Sequence, residues 1–131
     1  MEVGGGVITK RILIVEDEAG YSRAVKYTLE KEGYEVITAS NGLQGLVTAQ
    51  KADVDLLILD VMLPGIDGFE VCNRLRSDPQ TASLPIIMLS AKGQDTDRTT
   101  GLKVGADEYL RKPIDNTTLL ATIETLLKKS D

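Results

Sequence analysis

Three carboxylates follow short apolar runs of the sequence, in places where acidic side chains can bind a metal ion. Glu16 and Asp17 come directly after the run 11–15, and Asp60 comes directly after the run 55–59. Like charges a few ångströms apart raise one another's pKa unless a cation compensates them. Carboxylate, carbonyl and water oxygens are the ligands that Mg²⁺ prefers in proteins. If the three acids meet in the folded chain, they form a candidate magnesium site.

A hydroxyl and an ammonium group follow two other apolar runs. Ser90 comes after the run 85–89, and Lys112 comes after the run 108–111. A hydroxyl can donate a hydrogen bond to a phosphoryl oxygen, and a lysine ammonium is a point charge suited to the same oxygens. Alone, Ser90 could cap a helix and Lys112 could be a surface charge. Together with the acids, they indicate a site for a phosphoryl group.

The spacing of apolar side chains predicts the elements that position these residues. Runs of four or five apolar or β-branched residues predict strands at 11–15, 35–39, 55–59, 85–89 and 108–111. Amphipathic stretches between and after them predict helices, of which the segment 96–104 is the weakest. This alternation predicts one α/β domain, a doubly wound (βα)5 flavodoxin-like three-layer sandwich with a parallel sheet. In the strand order 2-1-3-4-5 the first and third strands are neighbours. Glu16, Asp17 and Asp60 are therefore expected to converge at the carboxyl ends of these strands.

Polar residues and a glycine mark the ends of the predicted helices. Asn41 stands where an N-cap is expected, as does either Asp115 or Asn116. Gly33 stands just past the first helix, which is predicted over 21–31, where a helix commonly ends in glycine.

The chain is predicted to form one folded domain. Residues 1–9 are expected to be a flexible leader, and residues 10–129 the domain itself. Cys72, on the third predicted helix, is interpreted as a small core hydrophobe. Thr81 and Ser83 are interpreted as parts of a connecting loop.

The composition excludes several kinds of chemistry. The chain has 131 residues with no His and one Cys, which excludes Ser-His-Asp and Cys-His catalysis, a His-based zinc site and an internal disulfide. This cysteine usage agrees with a reducing compartment and predicts a cytoplasmic protein. The net charge of −5 argues against nucleic-acid binding by this domain. No apolar run approaches the ~18 residues of a membrane span, and no secretory signal is expected.

Four segments around these residues resemble the receiver domain of two-component response regulators, the CheY-like superfamily. They are IVEDE at 14–18, DVMLPGIDG at 60–68, LSA at 89–91 and GADEYLRKP at 105–113. The resemblance extends over residues 10–128, and all four segments stand in the expected order on the expected elements.

The resemblance implies a signalling switch that catalyses only its own phosphorylation and dephosphorylation. Asp60 would accept a phosphoryl group from a sensor histidine kinase or a phosphotransfer protein. Asp17, Asp60 and the backbone carbonyl of Met62 would bind Mg²⁺ directly, and Glu16 would bind it through a water molecule. Lys112 would hold a phosphoryl oxygen, as would Ser90.

The resemblance also implies a conformational switch and partners. Ser90 would move toward the phosphoryl group and let the Tyr109 ring turn inward, which changes the face formed by the fourth helix, fifth strand and fifth helix. A downstream effector protein or an output domain would dock there, and the domain would be a monomer or a weak dimer. The family also has a cis peptide at the position of Pro113.

Three alternatives remain to be compared with this interpretation. A flavin-binding protein of the same topology needs a Gly/Ser/Thr-rich loop after the first strand, and here that loop carries Glu16 and Asp17. A phosphatase with an aspartate nucleophile would have a second Asp where this chain has Met62. A receiver fold that docks without phosphorylation is disfavoured by the intact Asp60 and Lys112.

Overall fold

The fold is known from a computed structural model, which describes residues 9–91 and 95–130. Five helices alternate with five strands, which form one parallel sheet in the order β2-β1-β3-β4-β5. The strands are β1 (Arg11–Val15), β2 (Glu35–Ala39), β3 (Leu56–Leu59), β4 (Ile86–Ser90) and β5 (Glu108–Arg111). The helices are α1 (Ala19–Lys31), α2 (Gly42–Lys51), α3 (Gly68–Arg76), α4 (Asp95–Lys103) and α5 (Asn116–Ser130). The predicted flavodoxin-like α/β fold and its strand order are confirmed.

The predicted domain boundaries stay a prediction. All but the last residue of the expected leader 1–9 lies outside the described residues. Within the described ranges, no helix is long and apolar enough to cross a membrane.

Strands β1, β3 and β4 lack a polar face because helices cover the sheet on both sides. One side of the sheet packs against α2 and α3, through buried side chains that include Leu57 and Cys72. The other side packs against α1 and α5, through buried side chains that include Ile58 and Ile123. The prediction that Cys72 is a core residue is confirmed, because its side chain is fully buried.

Three strand boundaries differ by one residue from the prediction. Strand β4 begins at Ile86 rather than at Pro85. Strand β3 begins at Leu56 rather than at Asp55, whose carboxylate accepts a hydrogen bond from the Arg11 backbone N–H at 2.7 Å. Strand β4 extends to Ser90, which pairs with Arg111 of β5, and its carbonyl accepts a hydrogen bond from the Lys112 backbone N–H at 2.9 Å. Ser90 is therefore the last residue of the strand rather than the first residue after it.

Helix ends follow the predicted caps in most places. The Asn41 side chain accepts a hydrogen bond from the Gln44 backbone N–H at 2.8 Å. Of the two candidates before α5, Asp115 is the cap, because its side chain accepts from the backbone N–H of Thr118 at 3.3 Å. Gly33 follows α1 with a φ of +93°, a conformation that favours glycine. The Lys112–Pro113 peptide bond is cis, as the resemblance implied.

Candidate functional site

The three predicted acids meet at the carboxyl ends of β1 and β3, which are adjacent strands of the sheet. One carboxylate oxygen from each of Glu16, Asp17 and Asp60 lies within 4.8 Å of the other two. Glu16 and Asp60 are buried, whereas Asp17 is exposed to solvent. The expected convergence of the acids is therefore present in the fold.

The backbone around Asp60 fixes the position of its carboxylate. Its backbone N–H donates to the Val15 carbonyl at 3.0 Å, which continues the pairing of β3 with β1. Its side-chain Oδ1 accepts a hydrogen bond from the Met62 backbone N–H at 3.2 Å. The start of α3 packs closely on this loop, and a Cβ at Gly68 would lie only 2.3 Å from the Asp60 carbonyl oxygen. A side chain at Gly68 would displace the loop that holds Asp60.

Glu16 is the more enclosed of the two acids that follow β1. Its Oε2 accepts a hydrogen bond from the Glu18 backbone N–H at 3.0 Å, and its Oε1 accepts one from the Lys112 ammonium. Burial raises the pKa of Glu16, and the neighbouring Asp60 charge adds to that rise, while Lys112 and the Glu18 amide oppose it. The net shift is upward, so the site destabilises this negative charge even with the lysine beside it.

Lys112 lies between the two buried carboxylates. Its Nζ donates to Glu16, lies 3.4 Å from Asp60 Oδ2, and belongs to a side chain only 13% exposed. Burial by itself would lower the pKa of Lys112, but the hydrogen bond to Glu16 and the charge of Asp60 outweigh burial and raise it. Lys112 therefore carries a positive charge directly beside Asp60.

Sequence reasoning missed Tyr21 as a residue of this site. Its ring centroid lies 4.5 Å from the Lys112 Nζ, within the range of a cation–π contact. In the sequence, Tyr21 appears only as one of the apolar positions of the first helix. No local signal could have identified the contact, because the two residues are joined only through the packing of α1 against the loop after β5.

Ser90 and Tyr109 lie on neighbouring strands, β4 and β5. Ser90 is fully buried, and Tyr109 is 4% exposed, so its ring is turned inward. Burial raises the pKa of the Tyr109 phenol, and a hydrogen bond with the Ser90 side chain partly offsets the rise. A Cβ at Gly101 of α4 would lie 2.7 Å from the Tyr109 ring, so the absence of a side chain there makes room for the ring.

The donor atoms of the acidic cluster suit a hard divalent cation. All three acidic side chains offer oxygen ligands, and the single ammonium group of Lys112 leaves much of their negative charge uncompensated. Mg²⁺ typically binds through one or two carboxylates and keeps several waters, so an exposed ligand such as Asp17 beside a buried one such as Asp60 fits this ion.

Comparison with known proteins agrees with this geometry. Residues 12–124 match the family model of the response regulator receiver domain. The chain is 46% identical over 121 residues to the DNA-binding dual master transcriptional regulator RpaA of Synechocystis, covering 92% of this chain and 50% of that protein. It is 45% identical over 120 residues to the phosphate regulon transcriptional regulatory protein PhoB of Rhizobium meliloti, covering 92% of this chain and 53% of PhoB. The chain thus spans about half the length of the curated relatives it matches.

Solved structures show the same fold. A CheY-like receiver domain from Methanospirillum hungatei superposes with a TM-score of 0.88 and 30% identity, over 93% of this chain and 96% of that one. The chemotaxis protein CheY4 of Vibrio cholerae superposes with a TM-score of 0.85 and 36% identity, over 91% of this chain and 99% of that one.

Proposed function

This chain belongs to the response regulator receiver domain family of two-component signalling, and we propose that it accepts a phosphoryl group on Asp60. The donor would be the phosphohistidine of a sensor histidine kinase or of a phosphotransfer protein. A receiver domain is a signalling switch rather than an enzyme that turns over a separate substrate. The observation that carries the proposal is the gathering of Glu16, Asp17 and Asp60 within 4.8 Å, with the Lys112 ammonium 3.4 Å from Asp60.

The proposed reaction is a displacement at phosphorus. A carboxylate oxygen of Asp60 attacks, the new P–O bond makes an acyl phosphate, and the P–N bond to the donor imidazole breaks with the electron pair going to nitrogen. Negative charge on the carboxylates and the phosphoryl oxygens would be neutralised by Mg²⁺ held by Asp17, Asp60 and the Met62 carbonyl, with Glu16 acting through a water.

The chain's own residues have two roles in this reaction. The Lys112 ammonium, already beside Asp60, would hold one phosphoryl oxygen, and the Ser90 hydroxyl would donate to another. Neither group has to donate or accept a proton, because transfer of this kind depends on position and charge. Removal of Lys112 is therefore expected to slow the transfer without removing the acceptor.

Phosphorylation would be read out through Ser90 and Tyr109. A phosphoryl group on Asp60 would draw the Ser90 hydroxyl toward itself and away from Tyr109, and the space left by the hydroxyl would accommodate the inward ring. Phosphorylation would in this way shift a conformational equilibrium of the Tyr109 ring. The affected face consists of α4, β5 and α5, where an effector protein or an output domain would dock.

The proposed setting is cytoplasmic, with the domain as a monomer or weak dimer. Two relatives are transcriptional regulators, one described as DNA-binding, and they are about twice as long as the region this chain matches. A DNA-binding output domain is therefore one candidate for the downstream partner. The receiver itself, with its net charge of −5, is not proposed to bind nucleic acid or membrane.

The proposal is tested by phosphorylation with acetyl phosphate and Mg²⁺, followed by intact mass and peptide mapping. The wild-type protein is expected to gain one phosphoryl group on Asp60, and EDTA is expected to suppress the gain. Asp60→Asn should remain unmodified. Asp67→Asn is the matched control, because Asp67 lies in the same loop but is exposed and caps α3. Undiminished modification of Asp60→Asn would place the acceptor elsewhere, and no modification of the wild type would favour a domain that docks without phosphorylation.

A further inference from the structure

Three sides of the Lys112 ammonium are occupied by different groups. Glu16 and Asp60 provide carboxylates, and the face of the Tyr21 ring lies 4.5 Å from Nζ. The Lys112 side chain is 13% exposed and the Tyr21 ring is half-buried, so the contact is largely removed from water. Cation–π attraction is stronger where both groups are desolvated.

A lysine that holds a phosphoryl oxygen depends on its neighbours for orientation more than an arginine would. Its ammonium is a point charge on a flexible four-carbon chain, so it has no fixed fork that would orient it. The two carboxylates attract the ammonium, but a divalent cation bound to them would compete with the ammonium for their negative charge. The Tyr21 ring is uncharged, so it would still attract the Lys112 ammonium when a divalent cation is bound to the carboxylates.

The same helix contains a second contact of the same chemistry in a different setting. The Tyr27 ring lies 5.4 Å from the Lys31 Nζ, and Tyr27 is 66% exposed. Neither residue is near the acidic cluster in the contacts of the described chain. Tyr27 therefore provides a control for the general effects of removing a tyrosine from α1.

We propose that Tyr21 is a positioning residue for phosphoryl transfer, whose ring face holds the Lys112 ammonium beside Asp60. The role belongs to the ring and not to the phenol hydroxyl. The inference rests on the proposed function, because it assumes that Asp60 is the acceptor and that Lys112 assists the transfer.

The experiment measures the initial rate of phosphorylation by acetyl phosphate with Mg²⁺ in three single variants. Tyr21→Leu removes the ring and is expected to slow the rate about fivefold, the scale of a partly desolvated cation–π contact. Tyr21→Phe keeps the ring and is expected to stay within about twofold of the wild type. Tyr27→Leu should match the wild type. Urea denaturation of each variant confirms that the rates are compared between folded proteins.

A double-mutant cycle with Lys112→Ala separates positioning from a general structural effect. If Tyr21 acts through Lys112, Tyr21→Leu causes no further loss in the Lys112→Ala background. An equal loss in both backgrounds would overturn the proposal, as would a Tyr21→Leu rate equal to that of the wild type. A Tyr21→Phe rate as slow as that of Tyr21→Leu would assign the effect to the hydroxyl and contradict the role of the ring.

Failure of this inference is distinguishable from failure of the proposed function. If Asp60 is not the acceptor, the wild-type protein itself shows no phosphoryl group on Asp60. If only the inference is wrong, the wild type is modified at Asp60 and the Tyr21 variants fail to follow the expected order.

Discussion

Arg76 and Lys112 are both partly buried cations, but they lie at opposite ends of the sheet and have different partners. The Arg76 guanidinium lies where β4 and β5 begin and donates to four backbone carbonyls, those of Leu84 at 2.7 Å, Gly105 at 2.9 Å, Ala82 at 3.2 Å and Thr81 at 3.4 Å. Lys112 lies where the strands end, and its charged partners are the side chains of Glu16 and Asp60.

The Arg76 end of the sheet is a closed set of hydrogen bonds. Arg76 also pairs with the Asp107 carboxylate at 3.1 Å, and the same carboxylate accepts from the Ile86 backbone N–H at 2.8 Å. Nearby, the buried Thr81 hydroxyl donates to the Leu75 carbonyl at 2.7 Å, which satisfies a carbonyl in the last turn of α3. Thr81 therefore lies in the connecting loop, as interpreted, and its hydroxyl also fixes this loop to the end of α3.

The contrast shows how the same kind of charge can serve structure or chemistry. Carbonyl partners are fixed by the backbone and are neutral, so they hold a guanidinium in one place and do not accumulate negative charge that would attract a second cation. Carboxylate partners crowd negative charge, which favours an additional cation and leaves Asp60 able to react. We expect the Arg76 end to stabilise the fold and the Lys112 end to lower its stability in exchange for function.

The largest change in stability is expected from Arg76→Ala. Removal of the guanidinium leaves the Leu84 and Gly105 carbonyls without this donor, and each partly buried carbonyl left without a hydrogen bond costs about 1–3 kcal/mol. We expect the free energy of unfolding in urea to fall by about 2–3 kcal/mol. Acetyl phosphate should still modify Asp60 in the folded variant.

Arg74→Ala is the matched control for that substitution. Arg74 lies on the same helix and pairs with Glu70 at 2.8 Å, but both side chains are nearly half exposed. An exposed pair four residues apart contributes about 0.3–0.5 kcal/mol. Equal losses in the two variants would show that the closed set of hydrogen bonds around Arg76 adds nothing beyond a surface charge.

The sequence predicted the two ends of the sheet unequally. Glu16, Asp17 and Asp60 could be placed because each directly follows an apolar run, so the strand order alone brings them together. Arg76 gave no such signal, because its partners at 82–84 and 105–107 meet it only after α3 has packed on the sheet. Tyr21 was missed for the same reason.

The strands were predictable to within one residue, whereas α1 begins at Ala19, two residues before its predicted start. Strands that are covered on both faces are apolar throughout, and their boundaries are marked by charged or turn residues. The errors of one residue at Asp55 and Ser90 arose where a polar side chain adjoins the ladder, and the error at Pro85 arose at a residue that has no backbone N–H. The inward Tyr109 ring could not be predicted, because it depends on the space left by Gly101 on another element.

A smaller change of opposite sign is expected from Asp60→Asn. The substitution removes one buried negative charge from beside Glu16 and keeps an oxygen that can accept from the Met62 N–H. The weak 3.4 Å contact with Lys112 is lost, but Lys112 keeps its hydrogen bond to Glu16. We expect the free energy of unfolding at neutral pH to rise by about 1 kcal/mol.

The pH dependence of that gain provides a check on its cause. The pKa of Glu16 is raised in the folded protein, in part by the Asp60 charge, so the unfavourable charge on Glu16 is present above this pKa. The gain should therefore shrink as the pH falls through the pKa of Glu16, because a protonated Glu16 is no longer repelled by Asp60.

The control variant Asp67→Asn should leave the free energy of unfolding nearly unchanged, since Asn and Asp cap helices about equally well. If Asp60→Asn lowered the free energy of unfolding instead, the acidic cluster would not destabilise the fold, and the contrast with the Arg76 end would be wrong.

The smallest shift is expected from Mg²⁺ binding at half-saturation, which stabilises the folded state by only about 0.4 kcal/mol. Well above half-saturation, each tenfold increase in Mg²⁺ should add about 1.4 kcal/mol if the unfolded chain does not bind the ion. Urea titrations at constant ionic strength measure this dependence, with Ca²⁺-free buffers and an EDTA reference.

Arg76→Ala should gain as much stability from Mg²⁺ as the wild type, because the two ends of the sheet are independent, whereas Asp60→Asn should gain less. An equal gain in all three proteins would mean that the ion binds away from the acidic cluster, and the Lys112 end would then need no cation to offset its crowded charge.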